Sequence, residues 1–94
     1  MDFGKAIEAL KQGKRVARKG WNGKGMFIYL VSGRNVDKEF LTNEAYTHLK
    51  DCHGDVTGSF HINSHIDMKA ADGSVVVGWL ASQTDMLAED WEVV

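Results

Sequence analysis

Two short segments of this 94-residue chain carry the side chains best suited to binding a small molecule. The first runs from Arg18 to Gly25 and sets Trp21 among glycines and cations. The second runs from Trp79 to Trp91, and its two tryptophans bracket hydroxyl, amide and acid side chains. Indoles stack on flat bases, and cations beside them neutralise phosphates. Both segments therefore favour the binding of a nucleotide-like ligand over catalysis.

In the first segment we expect Trp21 to stack on a base while exposed backbone and cations contact phosphate. The residues predicted to bind there are Arg18, Trp21, Asn22, Gly23 and Lys24. The competing interpretation is a hairpin tip with an exposed ring, because Asn-Gly is a frequent turn sequence. The glycine spacing matches neither a P-loop nor a dinucleotide-binding fingerprint, so this is not a standard phosphate cradle.

In the second segment the polar run between the tryptophans could bind a base edge or ribose hydroxyls. The residues predicted to bind there are Trp79, Ser82, Gln83 and Asp85. The competing interpretation is a helix cap, in which the serine and aspartate side chains accept hydrogen bonds from backbone N–H groups. Trp79 follows a glycine at a strand end, where it can line a pocket or fill the core equally well. Trp91 is interpreted as a core residue.

The chain offers little for catalysis or for metal binding. It has no Gly-x-Ser-x-Gly motif and no recognisable spacing of Ser, His and Asp. His61 and His65, on one predicted strand, would lie about 13 Å apart, which is too far to share a zinc ion. His48 and Cys52 are four residues apart on a predicted helix, but a third ligand is not evident. We therefore predict no catalytic residues, no cofactor and no metal.

The charge is small overall but unevenly placed. The net charge of −2 predicts no attraction to a nucleic-acid polymer or an anionic membrane. Cations crowd the first quarter of the chain, at Lys11, Lys14, Arg15, Arg18, Lys19 and Lys24. Acids crowd the end, at Asp85, Glu89, Asp90 and Glu92. A basic rim on a slightly acidic chain fits a small anionic ligand better than a polymer.

The single cysteine, the acidic start and the short apolar runs predict a cytoplasmic protein. Cys52 has no partner for an internal disulfide, so a reducing compartment is expected. No signal peptide is recognised at the start of the sequence. The longest apolar run, residues 26–31, is too short to cross a bilayer.

The hydrophobic pattern predicts an α+β fold in a single domain, with a small antiparallel β-sheet and two helices. The helices are predicted over residues 3–12, after a cap at Asp2, and from Thr42 or Asn43 to about Cys52. Strands are predicted over residues 14–18, 26–31, 60–70 and 74–77, with a turn at residues 32–35. One or two helical turns over residues 82–87 and a short strand at Trp91 and Val93 complete the predicted elements.

The predicted strand over residues 60–70 alternates strictly between apolar and polar side chains. Its apolar face carries Phe60, Ile62, Ile66 and Met68. Its polar face carries His61, Asn63, His65, Asp67 and Lys69. Asp72-Gly73 is a two-residue hairpin signal that leads into the returning strand.

The chain resembles the Thoeris anti-defence 2 family of small phage and prophage proteins. The resemblance is carried by Phe3-Gly4 with Ala6, by Arg18–Gly25 with the apolar strand after it, and by Trp79–Trp91. It runs nearly end to end and is weakest between about residues 32 and 58. The two matching blocks are long and chemically unusual.

The resemblance implies a molecular sponge. Members of the family bind 1″–3′ glycocyclic ADP-ribose, the signal of the Thoeris TIR-domain enzyme, and hold it unmodified, and some also take up cyclic dinucleotides of CBASS systems at separate pockets. The resemblance implies a homotetramer with the ligand lodged between protomers. By the same resemblance, Trp21, Asn22, Trp79, Ser82, Gln83 and Asp85 would carry binding.

Two other functions stay open at this point. The first is an enzyme that hydrolyses the signal, with Asp85 or Glu89 as the base. The second is a module without a small ligand that inhibits a host factor by protein–protein contact. The residues favour sequestration, because catalysis needs groups that stabilise a transition state and none is evident.

Overall fold

The computed structural model describes residues 1–21 and 23–94. The chain divides into two compact units, a larger one of Met1–Val31 with His65–Val94 and a smaller one of Ser32–Ser64. Both units contain antiparallel strands, and helices accompany them, which confirms the predicted α+β class.

The elements alternate short helices with short strands. In chain order they are α1 (Phe3–Lys11), β1 (Val16–Arg18), β2 (Phe27–Val31), β3 (Arg34–Asp37), a 3₁₀ turn (Lys38–Phe40), α2 (Asn43–Leu49), β4 (Ser59–Ile62), β5 (His65–Lys69), β6 (Val75–Val77), α3 (Gln83–Leu87) and β7 (Trp91–Val93).

Helix α1 begins and ends where its sequence signals place it. The Asp2 carboxylate accepts a hydrogen bond from the Lys5 backbone N–H at 2.8 Å, which satisfies one free donor of the first turn. Gly13 follows the helix with a φ of 85°, the left-handed conformation that ends many helices. Ala6 and Leu10 are buried on the apolar side. The predicted helix over residues 3–12 is confirmed to within one residue.

Five strands of the larger unit form one antiparallel sheet in the order β6-β5-β2-β1-β7. Because side chains alternate along a strand, each strand presents every second residue to α1. The residues that pack there with α1 are Val16, Ile28, Met68 and Trp91. The opposite face, which we call the open face, carries Phe27 paired with Lys69 and Ala17 paired with Glu92.

The continuous strand predicted over residues 60–70 is wrong. It is two strands, β4 and β5, which belong to different sheets: β4 pairs with β3, and β5 pairs with β2 and β6. His61, Asn63 and His65 therefore do not share one face of one strand. The apolar–polar alternation keeps the same phase in both strands, and it is interrupted at the break by Ser64, a polar residue at an apolar position.

The polar face predicted for that strand is also not simply solvated. Asp67 is buried, and its carboxylate accepts a hydrogen bond from the Gly78 N–H at 3.1 Å. Lys69 is half-buried on the open face beside Phe27. His61 is exposed in the smaller unit, where its Nδ1 lies 2.8 Å from the Asn35 Oδ1.

The smaller unit pairs β3 with β4 and adds α2. Residues 32–35 were predicted as a turn, but the chain is already in β3 from Arg34, because a polar strand lacks the alternation that reveals one. Helix α2 ends at Leu49, three residues before the predicted end. Its Ala45 and Tyr46 are exposed, and no residue of α2 is buried.

Gly54 is expected to tolerate no side chain. A Cβ there would overlap the backbone carbonyl of Ser59 and lie 3.2 Å from the Ser59 nitrogen. We expect Gly54→Ala to lower the free energy of unfolding by about 1–3 kcal/mol through this overlap. Denaturant titration measures the change. Gly4→Ala is the matched control, because Gly4 lies in α1 with no contact closer than 3.4 Å and alanine favours a helix. Equal behaviour of the two variants would contradict this expectation.

Candidate ligand-binding site

A cleft of about 490 Å³ lies on the open face of the five-stranded sheet, entirely within the larger unit. We call it the basic cleft. Its charged lining consists of Arg15, Arg18, Lys19, Lys24, Lys69 and Glu92, five cations against one acid. Its apolar lining includes Trp21, Met26 and Phe27. A concentration of positive charge on a chain with a net charge of −2 marks a place where an anion can be held.

The structure brings four residues of the first predicted segment to this cleft. Arg18, Trp21, Gly23 and Lys24 all line it. Asn22, predicted to bind alongside them, lies outside the described residues. Gly23 allows a close approach of the chain, because a Cβ there would lie 2.7 Å from the Met26 sulfur. Their role in ligand binding stays a prediction.

The charge of Arg18 is already compensated by two carboxylates. Its Nε donates to Asp90 Oδ1 and its NH1 donates to Asp85 Oδ1, each at 2.8 Å. These two hydrogen bonds, first that to Asp90 and then that to Asp85, outweigh the effect of burial and raise the pKa of Arg18. The guanidinium therefore holds the chain at residues 18–21 against the segment that contains α3, and it has little free charge for a phosphate.

Trp21 is half-buried and held at its ring nitrogen. Its Nε1 donates to Asp85 Oδ1 at 3.2 Å, and its ring packs edge-on against Trp91 at 5.3 Å and Trp79 at 6.2 Å between centroids. Trp21 is also among the residues that line the basic cleft. Trp21 is thus neither a free hairpin tip nor a fully enclosed core residue, and its indole is held in a fixed orientation beside the cleft.

The second predicted segment forms the helix cap that was the competing interpretation. Ser82 Oγ accepts a hydrogen bond from the Asp85 N–H at 3.1 Å, and the Asp85 carboxylate in return accepts one from the Ser82 N–H. Gln83 is exposed in α3, and Trp79 is half-buried. Trp79, Ser82, Gln83 and Asp85 are not part of the basic cleft lining. Their role in ligand binding is a prediction that this geometry does not test.

Asp85 and Asp90 are held in their ionised forms. Burial acts to raise the pKa of Asp85, but hydrogen bonds from Arg18, Ser82 and Trp21 outweigh it and lower the pKa overall. The pKa of Asp90 is lowered by the hydrogen bond from Arg18, against burial, and by that from the Gly20 N–H at 2.8 Å. These hydrogen bonds connect the two predicted binding segments through charge.

The structure adds Phe27 and Lys69 to the predicted binding residues, and it places beside them Arg15, which the sequence assigned to a basic rim. Arg15 places its guanidinium carbon 4.6 Å from the centroid of Phe27, and Lys69 places its ammonium 5.9 Å from the same centroid. Phe27 and Lys69 are directly opposite in the β2–β5 pairing, although they lie 42 positions apart in the chain. Phe27 and Ile28 are neighbours in β2, so their side chains lie on opposite faces of the sheet. No local signal in the sequence, however, pairs β2 with β5.

A second cleft, of about 530 Å³, lies within the smaller unit. Its charged lining consists of Asp37, Glu39, Lys38 and Lys50, so its acids and cations balance. The Lys38 ammonium already donates to the Cys52 carbonyl oxygen at 3.1 Å. This balance makes the second cleft a weaker site for an anion than the basic cleft.

Within the part of the chain that the structure describes, no three His, Cys, Asp or Glu side chains are placed to hold a metal ion. Cys52 is exposed, and its Sγ lies 3.6 Å from the His48 carbonyl oxygen. None of the helices in the described residues has both the length and the hydropathy needed to cross a membrane.

Comparison with known proteins gives one consistent result. The family model described as the Thoeris anti-defense 2-like domain matches residues 1–94. A curated relative, Thoeris anti-defense 2 of Bacillus phage SP01, is 39% identical over 94 residues, which covers 100% of this chain and 94% of the relative.

Proposed function

This chain belongs to the Thoeris anti-defense 2-like family, and we propose that it performs a phage anti-defence role by sequestering a cyclic nucleotide signal without degrading it. The proposed ligand is 1″–3′ glycocyclic ADP-ribose, the signal of Thoeris, with cyclic dinucleotides of CBASS as further candidates. The proposed place of action is the cytosol of the infected bacterium. No cofactor, membrane or nucleic-acid polymer takes part in this proposal.

The observation that supports this proposal most directly is the basic cleft. Glycocyclic ADP-ribose carries a pyrophosphate and a flat base, and the cleft combines excess positive charge with Trp21 and Phe27. A base stacked on an aromatic ring contributes about 1–3 kcal/mol, and phosphate charge is attracted by the lysines and arginine around it. The balanced cleft of the smaller unit offers no such excess of charge.

Sequestration rather than turnover fits the state of the strongest candidate base. Asp85 accepts hydrogen bonds from Arg18, Trp21 and Ser82, and its pKa is lowered. A carboxylate with a lowered pKa is a poor proton acceptor at neutral pH, since an effective base has a pKa near the working pH. The alternative in which Asp85 hydrolyses the signal is therefore the less favoured one.

We propose that the working form is a homotetramer in which the ligand lies between protomers. A sponge that outcompetes a receptor needs nanomolar affinity, about −12 kcal/mol, and a small ligand reaches that only when most of its surface is enclosed. The basic cleft lies on an open sheet face, so a second copy would complete the enclosure. Exposed apolar side chains, among them Val77 at 71% and Leu80 at 88%, are available for contacts between copies.

Release of intact ligand tests the proposal. The purified protein is incubated with 1″–3′ glycocyclic ADP-ribose, separated from free ligand, and heated to release what it holds. We expect mass spectrometry to recover the ligand unchanged and in stoichiometric amount. Recovery of ADP-ribose would support the hydrolase instead. Absence of any retained ligand, with no thermal stabilisation by cyclic nucleotides, would support the protein–protein inhibitor.

Trp21→Ala is expected to weaken ligand binding about ten- to hundredfold, because it removes the stacking surface at the cleft. Isothermal titration measures the affinity, and circular dichroism checks that the variant is folded, since the ring also packs against Trp91. Phe40→Ala is the control, because Phe40 is an aromatic residue of the smaller unit that is 68% exposed. Unchanged affinity of a folded Trp21→Ala variant would remove Trp21 from the proposed site.

A further inference from the structure

The most pre-arranged group of charges in the basic cleft is the pair of cations that lie against Phe27. Arg15 lies 4.6 Å and Lys69 5.9 Å from the ring centroid. An aromatic ring attracts a cation to its face, and a cation that rests there is less mobile than one on a free side chain. Arg15 was expected from the sequence only as part of a basic rim, and neither Phe27 nor Lys69 was expected to take part in binding.

Among the described residues, each cation is also held by one main-chain oxygen. Arg15 Nε donates to the main-chain oxygen of Val94 at 3.0 Å, and the Lys69 ammonium donates to the Gly25 carbonyl oxygen at 3.1 Å. A guanidinium has five N–H donors and an ammonium three, so several donors on each remain available after these contacts. Side chains held in this way lose little further freedom when a ligand arrives.

The remaining cations of the cleft are less suited to hold a phosphate. Arg18 is paired with Asp85 and Asp90, and Lys19 lies 3.9 Å from Glu92. Lys24 is exposed at the rim. The charge that an anionic ligand meets in the cleft is therefore dominated by Arg15 and Lys69, with Lys24 as a flexible third group.

We propose that Arg15, Phe27 and Lys69 form a diphosphate-binding subsite, in which the two cations bind the phosphates of a nucleotide diphosphate. This inference rests on the proposed function for the identity of the natural ligand, but not for the existence of the subsite. Two fixed cations beside the same aromatic ring offer one positive charge for each of two linked phosphates. The subsite is chemically non-specific for the base, so linear and cyclic diphosphates share it, and selectivity resides elsewhere in the cleft.

The test uses inorganic pyrophosphate as the probe and orthophosphate as its comparison, each titrated into the whole protein at low ionic strength. We expect saturable binding of pyrophosphate that is at least tenfold tighter than that of orthophosphate. Lys69→Met and Arg15→Met each remove one charge and keep an unbranched side chain beside Phe27. Each is expected to weaken pyrophosphate binding about tenfold, and Lys69→Arg is expected to retain it. Lys11→Met is the matched control, because it removes the same charge from α1, outside the cleft lining.

Each outcome separates this subsite from the proposed function. If pyrophosphate does not saturate the protein, or Lys11→Met weakens it as much as Lys69→Met, the subsite is wrong. If the folded Arg15→Met/Lys69→Met double variant still binds 1″–3′ glycocyclic ADP-ribose with unchanged affinity, the subsite is also wrong, while sequestration stands. If pyrophosphate binding follows the expected pattern but no cyclic nucleotide binds, the subsite stands and the proposed function fails.

Discussion

Replacing Trp91 by alanine is expected to lower the free energy of unfolding by about 3–5 kcal/mol, the range for removing a large aromatic side chain from a core. Trp91 is 2% exposed and is the largest fully buried side chain among the described residues. Its ring packs against Phe3 at 5.4 Å and against Trp21 at 5.3 Å, and its Nε1 donates to the Asp85 carbonyl oxygen at 2.9 Å. The free energy of unfolding of a small domain is only about 5–15 kcal/mol, so this loss would strongly increase the unfolded population.

Urea titration followed by circular dichroism measures this loss. Trp91→Phe is the control that keeps a ring but removes the Nε1 hydrogen bond, and we expect it to cost about 1–3 kcal/mol, because the Asp85 carbonyl loses a donor and the cavity is smaller. A loss below about 1 kcal/mol for Trp91→Ala would show that the site collapses around the missing ring, contrary to the packing described here.

Asp85→Ala has the second largest expected effect, a loss of about 2–4 kcal/mol of stability. The substitution removes the acid half of the capping box of α3, at about 1 kcal/mol. It also leaves the Arg18 guanidinium and the Trp21 Nε1 without their shared acceptor, and unpaired donors at part-buried positions cost about 1–3 kcal/mol. Asp85→Asn is the matched control, because its amide oxygen still accepts a hydrogen bond while the charge is lost. A variant Asp85→Ala as stable as the parent would contradict this account of the network.

The lowered pKa of Asp85 also predicts how the free energy of unfolding declines at acid pH. The pKa values of Asp85 and Asp90 are lower in the folded chain than in an unfolded one. Their contribution is therefore complete above the unfolded value of about 4 and is lost as the pH falls through the folded values. Urea titrations between pH 7 and pH 2 should show a shallower acid decline for Asp85→Asn than for the parent. Asp55 and Asp72 have lowered pKa values too, so part of the decline remains.

The elements that could be predicted are those whose signals are local. The cap at Asp2, the apolar stripe and the glycine after α1 lie within a few residues of one another, and the helix followed them. The hairpin near Asp72-Gly73 is another such case, since Gly73 has a φ of 91° and β5 pairs with β6 across it. Its loop has three residues, 71–73, rather than the predicted two, because Ala70 pairs with Ser74. The core position of Trp91 and the cap at Ser82 followed from residue type and spacing in the same way.

Only part of the candidate site could be predicted, because only some of its residues are close together in the sequence. Arg18, Trp21, Gly23 and Lys24 are neighbours in sequence and meet at the basic cleft. Phe27 and Lys69 meet there as well, but through the pairing of β2 with β5, which no local sequence signal predicts. The partners of Arg18 were likewise out of reach, because Asp85 and Asp90 lie 67 and 72 positions away.

Local patterns in this chain determined where α1 starts and stops, that Trp91 is buried, and that an aromatic ring and cations would combine at residues 18–25. The tertiary structure alone decided that residues 60–70 divide between two sheets. It also decided that Arg18 forms ion pairs with carboxylates and that Arg15 and Lys69 lie against Phe27. The physical reason is that a strand can pair with any partner whose faces match, because alternation fixes which side a residue faces but not which strand lies beside it. Charged side chains then form ion pairs according to their distance in space, and those distances are set only once the strands have paired.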